Sequence, residues 1–321
     1  MHFAENPKDN NRAMPSELYR RVERSILICR ETGLAFPSIF MGATGHALGD
    51  DGAVLRCGDE PLFRGGNGDL NWCAFCGLLD TLLGTPSDMK TGPNLRPATA
   101  HINLLMTGAP LRGDMAVETH FLGFSETARV RQALVGGTVR CGGAVAAHAT
   151  SAHVLLTPPG GRERAMWPWP PEGYTPGLPV PSPWDDQALD SLRACEQAEA
   201  AHMPTETFID HFWCGVPQAA AGRAQLRFKT APHLGNRAGQ VQGGLLLGVA
   251  AHVASAAVNA GATLTRLSNI SAWFLSPAAD AQIDVVAHVT KPGRSLTMVS
   301  TRITDSSGKQ VLEAVSQHVA V

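Results

Sequence analysis

The chain has 321 residues, 44% of them hydrophobic and 17% charged, which is enough apolar material to fill a core and excludes disorder. A formal net charge of −2 leaves no broad basic field for a nucleic-acid backbone and no acidic tail, and aromatics at 6% argue against stacked-base recognition. The length suits one large domain or two of roughly 150 residues. The start, Met1–Glu17, is polar and lacks the apolar run of a secretory signal. Seven scattered cysteines are an odd number and read as reduced thiols, so a cytoplasmic protein is expected.

The first expected element is a helix over Ser16–Thr32. A strand follows at Gly52–Cys57, then the loop Arg64–Asn71 and a helix from Trp72 to Leu83. Strands are expected near Ala100–Met106, Met115–Phe121, Ala128–Val139 and Val145–Leu156, each with apolar alternation between turn signals. Residues 158–185 hold nine of the 22 prolines and can be neither helix nor central strand, so they read as a surface linker. Helices over Asp186–His202 and Thr205–Trp213 come next. Beyond them lie a strand (Ala224–Thr230), a loop (His233–Gln242) and a long helix (Gly243–Ala260). The last strands are Ile270–Leu275, Ala281–Thr290, Ser295–Asp305 and Gln310–Val321. The apolar stretch Gly243–Leu264 could be mistaken for a membrane span, but it contains His252, Ser255 and Asn259 and is dominated by Gly and Ala. It reads as a helix buried on all sides, and no membrane association is expected.

The order of elements repeats, and so do the residues. Ala149–Val154 (ATSAHV) matches Ala314–Val319 (AVSQHV) at four of six positions. His120 falls in register with His288, Pro110 with Pro277, and Gly142-Gly143 with Ser307-Gly308. A small drift in offset places a hairpin insertion near Val135–Gly137. The expected division is residues 1–157, a linker 158–185, and residues 186–321. Each copy is one long helix wrapped by an antiparallel sheet, an α+β architecture made twice.

The run His233-Leu-Gly-Asn236-Arg237-Ala-Gly239-Gln-Val-Gln242-Gly243-Gly244 resembles the signature of PaaI-like hotdog-fold acyl-CoA thioesterases. In that family an Asn or Gln and a Gly precede His-Gly-Gly at the start of the central helix, with an acidic residue nine positions after the His. Trp273–Pro277 and Lys291–Ser295 are similar to the family as well. The resemblance implies a double hotdog that hydrolyses an acyl-CoA, or less readily an acyl carrier protein, with coenzyme A as part of the substrate and no separate cofactor. It also implies sheet faces that can pair into a homo-oligomer.

The departures carry the argument further. In the second copy Gln242 stands at the family's His position, and nine residues on is Ala251 where an acid is expected. In the first copy Asn71 takes the His position and Trp72-Cys73 replace Gly-Gly, yet nine residues on stands Asp80. Nine residues of helix span about 13.5 Å, too far for Asp80 to serve its own helix tip. Two central helices lying side by side would instead bring Asp80 to Gly243-Gly244 of the other copy. That arrangement gives one live site per chain, and one mirror-related site lacking a base.

A thioester carbonyl turning tetrahedral gathers negative charge on its oxygen, which backbone N–H groups at a helix tip stabilise. Gly243 and Gly244 would supply that oxyanion hole, and Asp80 the general base or the nucleophile. By resemblance, Asn236 would donate to the carbonyl and Gln242 would hold the loop. Thr81 is placed to orient the water. Arg294 and Arg237 are the candidates to meet coenzyme A phosphates.

The other motifs have plainer readings. Asp80 could be a solvent-facing residue or a cap for a loop at Gly84–Ser87, Asn236 a turn brace, and Asn67 and Asn71 local caps. His252 reads as a core histidine. Cys73-Ala-Phe-Cys76 has no second pair at zinc spacing, and His101, His120, His148 and His153 share no ligand spacing, so no metal is expected. Two further functions stay open: non-catalytic acyl-CoA binding, and a hotdog hydratase or dehydratase, which would want a His paired with an acid.

Overall fold

The computed structural model describes residues 15–49, 51–161, 163, 169–201, 206–261 and 264–321. Helix α1 (Glu17–Thr32) is capped by the Ser16 hydroxyl, which accepts from the Tyr19 amide, and ends where Gly33 turns left-handed. The short α2 (Phe36–Phe40) leads into strands β1 (Thr44–Gly49) and β2 (Gly52–Cys57). Helix α3 (Trp72–Thr91) is followed by β3 (Arg96–Met106), β4 (Met115–Glu126), β5 (Arg131–Cys141) and β6 (Ala144–Leu156). The second copy repeats the order: α4 (Asp186–Ala200), α5 (Phe208–Trp213), β7 (Gln218–Ala220), β8 (Arg223–Lys229), α6 (Gly243–Asn259), β9 (Thr265–Phe274), β10 (Gln282–Lys291), β11 (Leu296–Asp305) and β12 (Gln310–Ala320). The expected end of α4 at His202 and start of α5 at Thr205 lie outside the described residues.

The twelve strands among the described residues join one antiparallel sheet in the order β1-β2-β4-β5-β6-β3-β9-β12-β11-β10-β8-β7. The order reads the same from either end once copies are exchanged, so a pseudo-twofold axis passes between β3 and β9. Asn103 lies opposite Ser271 on that axis, and the Ser271 hydroxyl donates to Asn103 Oδ1 at 2.7 Å. The sheet curls around α3 and α6, whose apolar residues are buried around most of their circumference. This is a double hotdog.

Two expectations need correction. Helix α3 does not stop at Leu83 but runs on through Pro86 to Thr91, so no loop occupies Gly84–Ser87. The insertion between copies is not at Val135–Gly137. It is at the tip of the β4–β5 hairpin, which carries four more residues between Phe121 and Val135 than β10–β11 does between Val289 and Val299. Each copy also has an added edge strand, β1 or β7, that closes a hairpin with its neighbour.

The two central helices meet at glycine. A Cβ on Gly244 would sit 2.3 Å from Cys76 O, and one on Gly248 would sit 2.5 Å from Cys73 Cα. Backbone therefore touches backbone at both crossings, and this close approach sets how near a side chain of α3 comes to the tip of α6.

Candidate active site

The loop before α6 is built so that the helix begins at a fixed point. His233 stacks on Phe212 with centroids 4.4 Å apart, and its Nε2–H donates to Phe212 O at 2.7 Å. Burial holds that imidazole neutral, with its pKa lowered to about 4. Asn236 Oδ1 accepts from the Ala238 and Gln240 amides, Gly239 takes a φ of 71°, and Gly235 bridges to Val241. The side-chain oxygen of Asn236 is thus a turn brace, which leaves its NH₂ as the group able to face a substrate.

Asp80 lies in the middle of α3, 7% exposed, and points across the pseudo-twofold axis. Its Oδ2 accepts from the Gly244 amide at 2.8 Å, and its Oδ1 accepts from the Thr99 hydroxyl at 2.8 Å. A Cβ on Gly243 would lie 3.1 Å from Asp80 Oδ2 and 3.3 Å from Phe274 Cε1, so the carboxylate, the helix tip and that ring converge. Burial raises the Asp80 pKa above the usual carboxylate range, and the hydrogen bonds from Thr99 and Gly244 partly oppose it.

Gly244 does not offer a free amide to a carbonyl, because its N–H already serves Asp80. Gly243, the first residue of α6, has no intrahelical acceptor for its N–H and stands at the positive end of the helix dipole. Gln242 reaches across to α3, donating from Nε2 to Gly77 O at 3.1 Å and to the Thr81 hydroxyl, while its Oε1 is buried without a hydrogen-bond partner among the described residues. Thr81 is held between Gln242, Ser38 and Gly77. The hydroxyl that reaches the carboxylate is that of Thr99.

Thr99 carries no motif of its own, whereas Phe274 lies within the family-like run Trp273–Pro277. Thr99 faces the helix because the β3–β6 register shifts between Thr99 and His101, a bulge that re-aims one side chain. Of the two candidate arginines, Arg237 pairs with Asp88 further along α3 at 3.5 Å. The structure does not bring Arg294 to Asp80. Its neighbour Ser295 accepts from Ala320, which lies opposite Thr265 at the start of β9, whereas the site adjoins Phe274 at the far end of that strand, about 30 Å away.

The mirror-related end is built differently. There Asn71 caps its own helix through the Cys73 amide and donates from Nδ2 to Asp210 Oδ1 at 2.7 Å. His252 is half-buried beside Asp210; desolvation lowers its pKa and the carboxylate opposes that shift. The seven cysteines are free thiols. Among the described residues, no group of three His, Cys, Asp or Glu could hold a metal, and no helix is long and apolar enough to cross a membrane.

Comparison with known proteins agrees with the fold. Residues 231–318 match the model of the acyl-CoA thioesterase N-terminal domain. The chain is similar in structure to the tesB protein of Mycobacterium avium subsp. paratuberculosis, at 13% identity and a TM-score of 0.51 over 86% of this chain and 95% of that one. It is similar also to a conserved protein of unknown function with a hot dog fold from Alicyclobacillus acidocaldarius, at 11% identity and a TM-score of 0.50 over 86% and 96% of the two chains. No curated protein matches the sequence.

Proposed function

We propose that this chain hydrolyses an acyl-CoA thioester to a carboxylate and free coenzyme A at one site between its two copies. The observation that carries the reading is the Asp80 carboxylate of one copy hydrogen-bonded to the Gly244 amide at the helix tip of the other. The two copies correspond to residues 1–157 and 186–321, joined by 158–185. The loop signature His233–Gly244 supports kinship with the PaaI-like branch of the hotdog thioesterases.

Both oxygens of Asp80 are pinned, one by Gly244 and one by Thr99. Each keeps a lone pair for a water proton, but neither is free to swing onto a carbonyl carbon. General-base catalysis fits this better than covalent attack. Asp80 takes a proton from water, the hydroxide adds to the thioester carbon, and the Gly243 N–H receives the developing oxyanion. Collapse expels the thiolate, and the proton held by Asp80 neutralises it.

Release of free thiol from acyl-CoA, followed with a thiol reagent, tests the reading. The active form is the ionised carboxylate, so kcat/KM should fall as the pH drops through the raised Asp80 pKa. The acid limb should therefore lie above the ~4 of an ordinary carboxylate. A limb at or below that value would contradict the assignment of the base. Thr99→Val removes a donor that favours the ionised form. It should cost about tenfold in kcat and move the acid limb to still higher pH. An unmoved limb would remove Thr99 from the site.

One observation favours non-catalytic binding instead: the Gly244 amide is already occupied, which leaves a single helix-tip N–H for the substrate. Binding of acyl-CoA without release of thiol from any acyl chain would establish that reading.

A further inference from the structure

We propose that the nucleotide end of coenzyme A docks on the extended β4–β5 hairpin, with Phe124 and Arg131 meeting the adenine and Arg131 and Lys90 meeting the phosphates. The inference rests on the thioesterase reading and adds to it where the substrate's far end lies.

The extra four residues of this hairpin, absent from β10–β11, build an unusual tip. Phe124 is 37% exposed and meets Phe121 edge-on with centroids 4.9 Å apart. The Arg131 guanidinium lies 3.9 Å above the Phe124 ring, and Lys90 Nζ lies 5.8 Å from the Phe121 centroid. Phe121 and Phe124 sit opposite Val135 and the buried Ala133, so these rings occupy the face of the sheet that carries α3. The corresponding tip of the other copy, Val289–Val299, contains no aromatic residue. An exposed ring already stacked by a guanidinium is a platform for a purine, and it stands beside cations suited to phosphate.

The span agrees. From Asp80 to Lys90 is ten residues of one helix, about 15 Å. A pantetheine arm has two amide units and their linkers, equivalent to about four extended residues or ~14 Å. A thioester held at Asp80 thus puts the pyrophosphate near Lys90 and the adenosine over the hairpin. Arg237, paired with Asp88 between the two, flanks the same path. The present partners of these cations are surface carboxylates: Glu126 at 3.7 Å from Arg131, and the fully exposed side chain of Asp51 at 2.9 Å from Lys90. Such pairs hold weakly and yield to a doubly charged phosphate.

The test compares hydrolysis of acyl-CoA with that of the same acyl group on pantetheine, which lacks the nucleotide, in the full chain. Wild type should prefer acyl-CoA through a lower KM. Arg131→Ala should reduce that preference about tenfold, and Phe124→Ala by a smaller factor. A preference unchanged in Arg131→Ala, with a wild-type melting temperature, overturns the proposal. Titration with adenosine 3′,5′-bisphosphate reads the same site without turnover: weaker binding to Arg131→Ala supports the proposal, and no binding to wild type overturns it whether or not thioesters are cleaved. Absence of hydrolysis with intact nucleotide binding would overturn only the thioesterase reading. A clear preference for an acyl carrier protein over both small substrates would also overturn the nucleotide site.

Discussion

Asp80→Asn is expected to lower kcat for acyl-CoA hydrolysis by about 10²–10⁴-fold, the range a positioned general base supplies. The amide keeps the shape of the carboxylate and one acceptor oxygen, but it cannot take a proton from water. The fold should survive the change. Burial raises the Asp80 pKa, so its contribution to stability is fully present below the unfolded pKa and is lost as the pH rises through the folded one. At neutral pH the charge costs stability, and replacing it with a neutral amide should leave the melting temperature equal or higher. A variant that turns over within twofold of wild type would remove Asp80 from the mechanism. A variant that melts early would mean that the carboxylate holds the two helices together instead.

Gly244→Ala is the second large effect, and it acts first on the fold. The added Cβ would stand 2.3 Å from Cys76 O and 2.7 Å from Gly77 Cα, and both neighbours are backbone. No side chain can swing away, so α3 and α6 must move apart. Overpacking of this kind costs about 1–3 kcal/mol, and here the upper part of that range is expected as a lower denaturation midpoint. Activity should fall further than stability does, because separating the helices lengthens the bond from the Gly244 amide to Asp80. Gly77→Ala is the matched control. Its Cβ would meet Gln242 Oε1 and Leu245 Cδ2 at 3.5 Å, ordinary contact distances, and should be tolerated. A wild-type midpoint for Gly244→Ala would show that the helices are not in the contact described.

The meeting of Asp80 with Gly243-Gly244 was legible in the sequence because the chain repeats. Once Asn71 and Gln242 were aligned, the surviving acid and the surviving glycines stood in opposite copies. Nine residues of helix were too long for either copy to act alone. Thr99 was not legible: its orientation depends on a register shift in β3, and a strand pattern with period two cannot reveal a bulge. Arg294 stands away from Asp80 for a different reason. Hairpin tips of the two copies lie at opposite ends of the sheet, so the tip near Asp80 is the one carrying Arg131. The length of α3 was underestimated because Pro86 resembles a stop, although α3 passes through it. Strand β7, three exposed residues with no alternation, offered no pattern to read.

Joining both halves by a peptide has a kinetic meaning. Where such a centre forms between separate polypeptides, thinning the solution pulls it apart, and its halves must find one another again before the next cycle. Here the acid and its opposing amide are tethered neighbours at an effective concentration that no dilution can lower. Each molecule carries both of these groups wherever it diffuses.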